Sequence, residues 1–255
     1  MNLTESIIIG TIQGLTEFLP VSSSAHLVFI QKLLGWNEPE LFFDIILHCG
    51  TLFSVIIFFY KDIIKLFKDI RTIILLLVAT IPTGLIGILM SDYIDKYFAS
   101  EIYPAIFLLI TGLLLYLTKY VPKKTKQISN FSISDVVLVG IAQGISVLPG
   151  ISRSGSTLST GILLGWDRAD TIKFIFLLSI PSISGATILK FRSISISDIN
   201  INCYVIGFII AFITGLLSIK ILVKCIQNMK LHFFSYYCWL LGISVIIISI
   251  IKYFK

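Results

Sequence analysis

Two short stretches hold the residues able to do chemistry in an otherwise apolar chain. The first reads Gln13-Gly14-Leu15-Thr16-Glu17-Phe18-Leu19-Pro20-Val21-Ser22-Ser23-Ser24-Ala25-His26. Gln13 and Glu17, spaced i, i+4, share one helix face. A carboxylate beside an amide oxygen suits a hard divalent cation. Ser23 and His26, spaced i, i+3 after the helix stop at Pro20, read as a hydroxyl nucleophile with an acid–base imidazole. The second stretch reads Pro149-Gly150-Ile151-Ser152-Arg153-Ser154-Gly155-Ser156-Thr157. Gly150 permits close backbone approach, and a Ser-rich helix start offers N–H and hydroxyl donors to an anion. Ser22, Ser24, Ser152, Ser154 and Thr157 supply such donors, and Arg153 adds a planar fork matched to phosphate oxygens.

Simpler readings exist for each. Serines in apolar helices often bond only their own backbone. Glu17 and Arg153 could form a structural ion pair. Asp44 and His48, i, i+4, read first as a helix-end acid and a buried histidine, and second as support for the site. His232 beside a basic loop reads as interfacial, and Trp36 and Trp166 as interface markers.

The elements that position these residues follow from composition. Of 255 residues, 56% are hydrophobic and 13% charged, and the mean hydropathy is +0.96. Soluble domains carry about a quarter of their residues as charges. That excludes a disordered chain, a nucleic-acid-binding arm and an ordinary soluble globule, and leaves an all-α polytopic membrane protein. Cys49, Cys203, Cys225 and Cys238 lie in apolar segments without metal-type spacing and read as buried inert thiols.

Spans of about 20 apolar residues are expected at Leu41–Tyr60, Thr72–Met90, Ile102–Val121, Thr171–Leu189, Ile201–Ile219 and Phe233–Ile251. Leu3–Leu34 and Val136–Leu164 are interrupted by Pro, Gly and Ser and read as re-entrant broken-helix hairpins. A cleaved leader is not expected at the start, which has no basic n-region. With hairpins that return to their own side, the loops at 61–71, 119–135, 166–173 and 220–232 share one face. They hold most of the 20 Lys and Arg, including Lys123 and Lys124. Lys32, Lys96, Lys190, Arg192, Lys252 and Lys255 lie opposite. The richer side is assigned to the cytoplasm, with both termini outside.

A shift of 130 residues aligns Gly10 with Gly140, Gln13-Gly14 with Gln143-Gly144 and Leu34-Gly35-Trp36 with Leu164-Gly165-Trp166. The chain is therefore read as one membrane domain, 1–255, made of two repeats, about 1–127 and about 128–255. Each repeat is a hairpin plus three spans, an odd number, so the second is inverted and the hairpin tips should meet. In that register Glu17 faces Val147, Ser23 faces Arg153 and His26 faces Ser156. One copy carries the acid and the imidazole, the other the cation. Together they suit phosphoryl transfer from a phosphorylated lipid.

Gln-x-x-x-Glu-Phe-Leu-Pro-x-Ser-Ser-Ser-x-His at 13–26, with Pro-Gly-x-Ser-Arg-Ser-Gly-x-Thr at 149–157, resembles the bacterial undecaprenyl-diphosphate phosphatases, also known as the bacitracin-resistance protein family. The likeness runs over essentially the whole chain, including Phe43-Asp44 and His48-x-Gly50-Thr51-Leu52. It implies an inner-membrane enzyme that removes the terminal phosphate of undecaprenyl diphosphate and recycles the carrier for peptidoglycan. It also implies Mg²⁺ or Ca²⁺, interlocked inverted repeats and a homodimer. Carried over by position, Glu17 with Gln13 resembles the metal- and pyrophosphate-organising motif. Ser23 and His26 resemble the nucleophile and acid–base pair, and Arg153 with Ser152 and Thr157 the phosphate-binding motif. Gln13 stands where many members have Glu, so Glu17 supplies the only carboxylate of its pair. Attack by Ser23 and attack by a metal-bound water both remain open at this point. A transporter of an anionic polyprenyl lipid without hydrolysis is the alternative, since inverted repeats and broken helices are also transporter features. A phosphatidic-acid-type phosphatase is set aside, because no His follows Ser152-Arg153 until His232.

Overall fold

A computed structural model describes residues 1–36, 41–90, 93, 97, 100–122, 125–191 and 201–253. Lys96, Lys123, Lys124, Arg192 and Lys255, part of the charge asymmetry, lie outside the described residues. Regular structure among the described residues is helical. The first hairpin is α1 (Leu3–Phe18) and α2 (Ser23–Leu33). There follow α3 (Leu41–Phe58), α4 (Tyr60–Leu66), α5 (Ile70–Leu89) and α6 (Ile102–Leu117). The second hairpin is α7 (Ile133–Ile145) and α8 (Arg153–Leu163), and α9 (Arg168–Phe191), α10 (Ile201–Gln227) and α11 (Phe233–Tyr253) complete the chain.

Helices α5, α6, α9, α10 and α11 are long and apolar enough to cross a membrane, and α3 with α4, bent by 73°, makes a sixth candidate. The span expected to run to Tyr60 stops at Phe58, where Lys61, Asp62 and Lys65 bring charge and the chain turns aside. The outer faces are apolar. Ile70, Ile74, Leu77, Ile81, Leu85 and Ile88 form an exposed stripe along α5, and Val205, Ile209, Ile213 and Leu217 another along α10. Such large contiguous apolar surface belongs against lipid. This is an all-α polytopic membrane protein.

The hairpin helices are too short to span. At about 1.5 Å per residue, the 16 residues of α1 and the 13 of α7 fall short of a bilayer core. Both begin with the same device, a reciprocal capping box: Asn2 with Glu5 in α1, Ser132 with Asp135 in α7. Helix α1 ends where Leu19, preceding Pro20, must be extended, at φ −61° and ψ 141°.

Each hairpin is clasped by a span from the other half of the chain. Helix α1 packs chiefly on α10 and α7 chiefly on α5, while α6 lies on α11 and α3 on α10 and α9. The recurring glycines are the close-approach points. A Cβ at Gly10 would come 2.9 Å from the Gly207 carbonyl oxygen, and one at Gly140 would come 2.2 Å from that of Ala79. Beneath the hairpin tips, Phe18, Val55, Leu108, Leu158, Phe176 and Ile219 form a dry core.

Three side readings change in the folded chain. Trp166, expected at an interface, is 1% exposed. Its ring stacks on Phe131 with centroids 3.6 Å apart, and its Nε1 donates to Asp135 at 3.2 Å. A neighbouring aromatic and a carboxylate satisfy this indole without headgroups. Of the four free thiols, Cys203 and Cys238 are buried, whereas Cys49 and Cys225 are half-buried. Asp44 and His48 part company: Asp44 accepts from Gln31 Nε2 at 3.0 Å, and His48 turns to the first hairpin.

Candidate active site

The two tips touch, although 128 residues separate the contacting atoms in sequence. The Gly150 N–H donates to Ser22 Oγ at 3.1 Å, and Ser154 Oγ donates to the Leu19 carbonyl at 3.3 Å. Two unusual backbones make this approach possible. Gly150 has φ +105°, and a side chain there would meet the Pro104 carbonyl oxygen at 2.2 Å. Ser22 has φ 65°, a strained value for a residue with a Cβ. Ser22 holds the N-cap position of α2, as its place after Pro20 suggests, yet its side chain makes no cap bond. Its hydroxyl serves the other hairpin instead. Ser152 does cap α8, accepting from the Gly155 N–H at 3.1 Å.

At this junction the buried Glu17 carboxylate is the hub. Its Oε2 accepts from Gln13 Nε2 at 2.8 Å and from Ser23 Oγ at 2.7 Å. Its Oε1 lies 3.1 Å from an Arg153 guanidinium nitrogen, so acid and cation from opposite hairpins form an ion pair. His48 of α3 approaches from a third side. Gln13 Nε2 lies 3.0 Å from His48 Nδ1 and donates to it, which leaves the imidazole proton on Nε2. Glu17, Gln13, Ser23 and Arg153 are thus within bonding reach of one another, and Ser22, Ser24 and Ser152 stand around them.

A cavity of ≈ 190 Å³ opens over this cluster, bounded by Glu17, Ser22, Ser23, Ser24, Ser152 and Arg153 together with His48. A volume of that order admits a diphosphate headgroup, and the donors of both hairpins face it. A void of ≈ 20 Å³ lies behind the ion pair, between Thr157 and Ser179. Thr157 donates to the Arg153 carbonyl at 2.8 Å and so braces the first turn of α8.

His26 stands apart from this cluster. Its Nδ1–H donates to the Ser22 carbonyl at 2.8 Å, and its Nε2 lies 2.7 Å from the Tyr237 hydroxyl of α11. Both ring nitrogens are occupied away from Ser23, and His26 does not border the cavity. In this arrangement the imidazole braces the strained Ser22 backbone. The histidine beside the carboxylate is His48. Its helical register on an apolar face made it a secondary candidate. Gln143 and Ser182, which also border the cavity, went unremarked as site residues. The Gln13–Gln143 correspondence was the available signal for Gln143.

The donor set can be tested against a divalent cation. Among the described residues no three His, Cys, Asp or Glu side chains group to hold a metal. A cage made of protein alone is therefore not built here. Gln13 Oε1, however, is buried with no hydrogen-bond partner, beside the Glu17 carboxylate and Ser23 Oγ. Three oxygens on one side of a cavity fit a hard cation whose remaining ligands are phosphate oxygens and water, the usual manner of Mg²⁺.

A buried carboxylate, a hydroxyl and a guanidinium gathered by two broken helices define an intramembrane site for an anionic headgroup. Comparison with known proteins narrows the class. The family model described as bacitracin resistance protein BacA matches residues 6–244. A protein of Methanobrevibacter smithii named undecaprenyl-diphosphatase is 41% identical over 278 residues, covering all of both chains. Proteins of the same name from Carboxydothermus hydrogenoformans and Halothermothrix orenii are 38% and 41% identical over 256 residues, covering 98% of this chain and 98% and 99% of theirs. The chain belongs to the bacitracin resistance protein BacA family.

Proposed function

We propose that this protein is an undecaprenyl-diphosphatase, a membrane hydrolase converting undecaprenyl diphosphate to undecaprenyl phosphate and inorganic phosphate. The observation that carries the reading is the Glu17 carboxylate, which holds the Ser23 hydroxyl at 2.7 Å and the Arg153 guanidinium at 3.1 Å in one cavity. A protein that only carried an anionic lipid would need the cation and the donors, not a carboxylate poised on a hydroxyl.

The residues divide the work. Arg153 leaves Glu17 for the terminal phosphate and spreads the charge that develops on its oxygens. Ser22, Ser24, Ser152 and Ser154, with the first N–H groups of α8, orient that phosphate. Glu17, freed of the guanidinium, accepts the proton of the attacking oxygen, and Ser23 Oγ already points its proton there. His48, linked through Gln13, holds the amide that orients the carboxylate. His26 keeps the tip in shape through the Ser22 carbonyl. Mg²⁺ or Ca²⁺, held by Gln13 Oε1 and Glu17, supplies charge neutralisation of the diphosphate when bound.

The same reading assigns the protein to the bacterial cell (inner) membrane, with the Lys-rich loops in the cytoplasm and both termini outside. It takes the molecule as one domain of two inverted repeats, 1–127 and 128–255, supported by the reciprocal clasp of α1 by α10 and of α7 by α5. A homodimer belongs to it through the family resemblance.

The direct test is phosphate release from undecaprenyl diphosphate by the purified full chain in detergent, with and without EDTA. Release that stops on chelation and returns with Mg²⁺ or Ca²⁺ is the expected result. Lipid binding without release would leave a carrier, and release indifferent to EDTA would remove the cation.

A further inference from the structure

The cavity has two unlike ends. One is the charged cluster of Glu17 and Arg153. The other is built around Gln143 of α7, the counterpart of Gln13, in the copy where Val147 replaces the acid. Gln143 is 2% exposed, and its Nε2 is tied to Ser182 Oγ at 2.6 Å and to Thr83 Oγ1 at 3.2 Å. That fixes the amide, and its Oε1 is left buried without any partner.

The hydroxyl protons around it are all spent on backbone carbonyls. Thr83 donates to Ala79 and Gly140, Ser182 to Leu178, and Ser146 to Gln143 itself. What this end offers the cavity is acceptor oxygens only. A phosphate oxygen would meet lone pairs there and is repelled. A metal ion would find no carboxylate to offset its desolvation. Water, which brings two donors and fits a polar cavity of this size, satisfies the orphaned oxygen.

We infer that Gln143, fixed by Ser182 and Thr83, is a water-binding site that positions the water consumed in hydrolysis beside the phosphate end of the cavity. The inference rests on the hydrolase reading for its purpose, though not for the water site itself. The water's oxygen ends in inorganic phosphate. The bond from the terminal phosphorus to its leaving oxygen breaks with the electron pair on that oxygen, and one proton is released. Gln143 neither takes that proton nor touches phosphorus, so it is a positioning residue.

Two measurements test this on the full-length protein. A high-resolution structure should show ordered solvent within hydrogen-bonding distance of Gln143 Oε1; a dry cavity there overturns the site, whatever the activity. With undecaprenyl diphosphate in a methanol–water mixture, the ratio of methyl phosphate to inorganic phosphate reports competition for the water's place. In Gln143→Leu the ratio should rise about fivefold, the loss of one ordinary hydrogen bond, whereas Gln143→Glu, which keeps an acceptor oxygen, should stay near wild type. A purely structural role would lower both products together and leave the ratio unchanged, which overturns the inference. Should Gln143→Leu fail to fold, Ser182→Ala frees the amide and should move the ratio the same way by a smaller factor. If wild type releases no phosphate, the hydrolase reading fails while the solvent density still decides the water site.

Discussion

The two hairpins share a frame and differ in what they are asked to hold. Both start at a capping box, both carry Gly-x-x-Gln-Gly, and both are clasped by a span of the other repeat. The first is chemically loaded: Glu17 gathers Gln13, Ser23, His48 and Arg153. The second contributes one cation and otherwise neutral donors, and where Glu17 has its counterpart there is Val147. Their bases differ in the opposite sense. Glu5 at the first is bound to its own cap and the chain's amino group, whereas Asp135 at the second is bound by Lys126 and Trp166. Chemistry sits on the hairpin with the looser base, and the firmly pinned hairpin presents the guanidinium. A duplicated frame thus makes an asymmetric site by dividing opposite charges between its copies.

Removing the charge of the first hairpin is the severest way to break that division. Glu17→Gln keeps the shape but leaves Arg153 facing no anion and Ser23 facing no base. Phosphate release should fall by about 10³ or more, with the protein still helical by circular dichroism. A variant within tenfold of wild type would dismiss Glu17 as the hub. On the second hairpin, Arg153→Lys keeps the charge and loses the fork. It should lower turnover by roughly 10–100-fold, and unchanged turnover would show that a point charge suffices.

Much of this contrast was legible before folding. Long apolar runs announce spans, and Pro and Gly inside two of them announce hairpins, because lipid tolerates few other arrangements of backbone. The 130-residue register paired Ser23 with Arg153, and the tips that carry them do meet. What escaped depends on contacts far apart in sequence or on local strain. His26 and Ser23 share a helical spacing, yet the imidazole is claimed by Tyr237, 211 residues away. The positive φ of Ser22, which turns its hydroxyl to Gly150, has no signature in a run of three serines. His48 was weighed as ordinary, since a lone histidine on an apolar helix usually is. Only the fold shows α3 bringing it to Gln13.

The clasp itself can be sharpened at its glycines. Gly140 lies against the α5 backbone, where an added Cβ would approach the Ala79 oxygen to 2.2 Å. At Gly10 the corresponding approach to Gly207 is 2.9 Å, a smaller intrusion that a slight helix shift relieves. Gly140→Ala should therefore destabilise by about 3 kcal/mol and Gly10→Ala by about 1 kcal/mol. Thermal melting in detergent measures both. Equal losses would mean that the two clasps are equally tight and that the second hairpin is not the more rigidly held.

The weakest lever acts on the pinned base. Lys126 pairs with Asp135, and the two side chains are 33% and 13% exposed, so solvent screens much of the attraction. Trp166 Nε1 and the Ser132 cap remain on the carboxylate when the lysine is cut back. Lys126→Ala should then cost about 1 kcal/mol or less, and the loss should shrink in high salt. Arg71, which donates to the carbonyls of Ile128 and Phe131 at 3.1 Å and 3.0 Å, still holds the loop in place. Turnover should stay close to wild type, because Arg153 sits at the far end of the hairpin. A marked fall in turnover without a fall in melting temperature would mean that the base sets the position of the guanidinium, and that the two hairpins differ in mechanics as well as in charge.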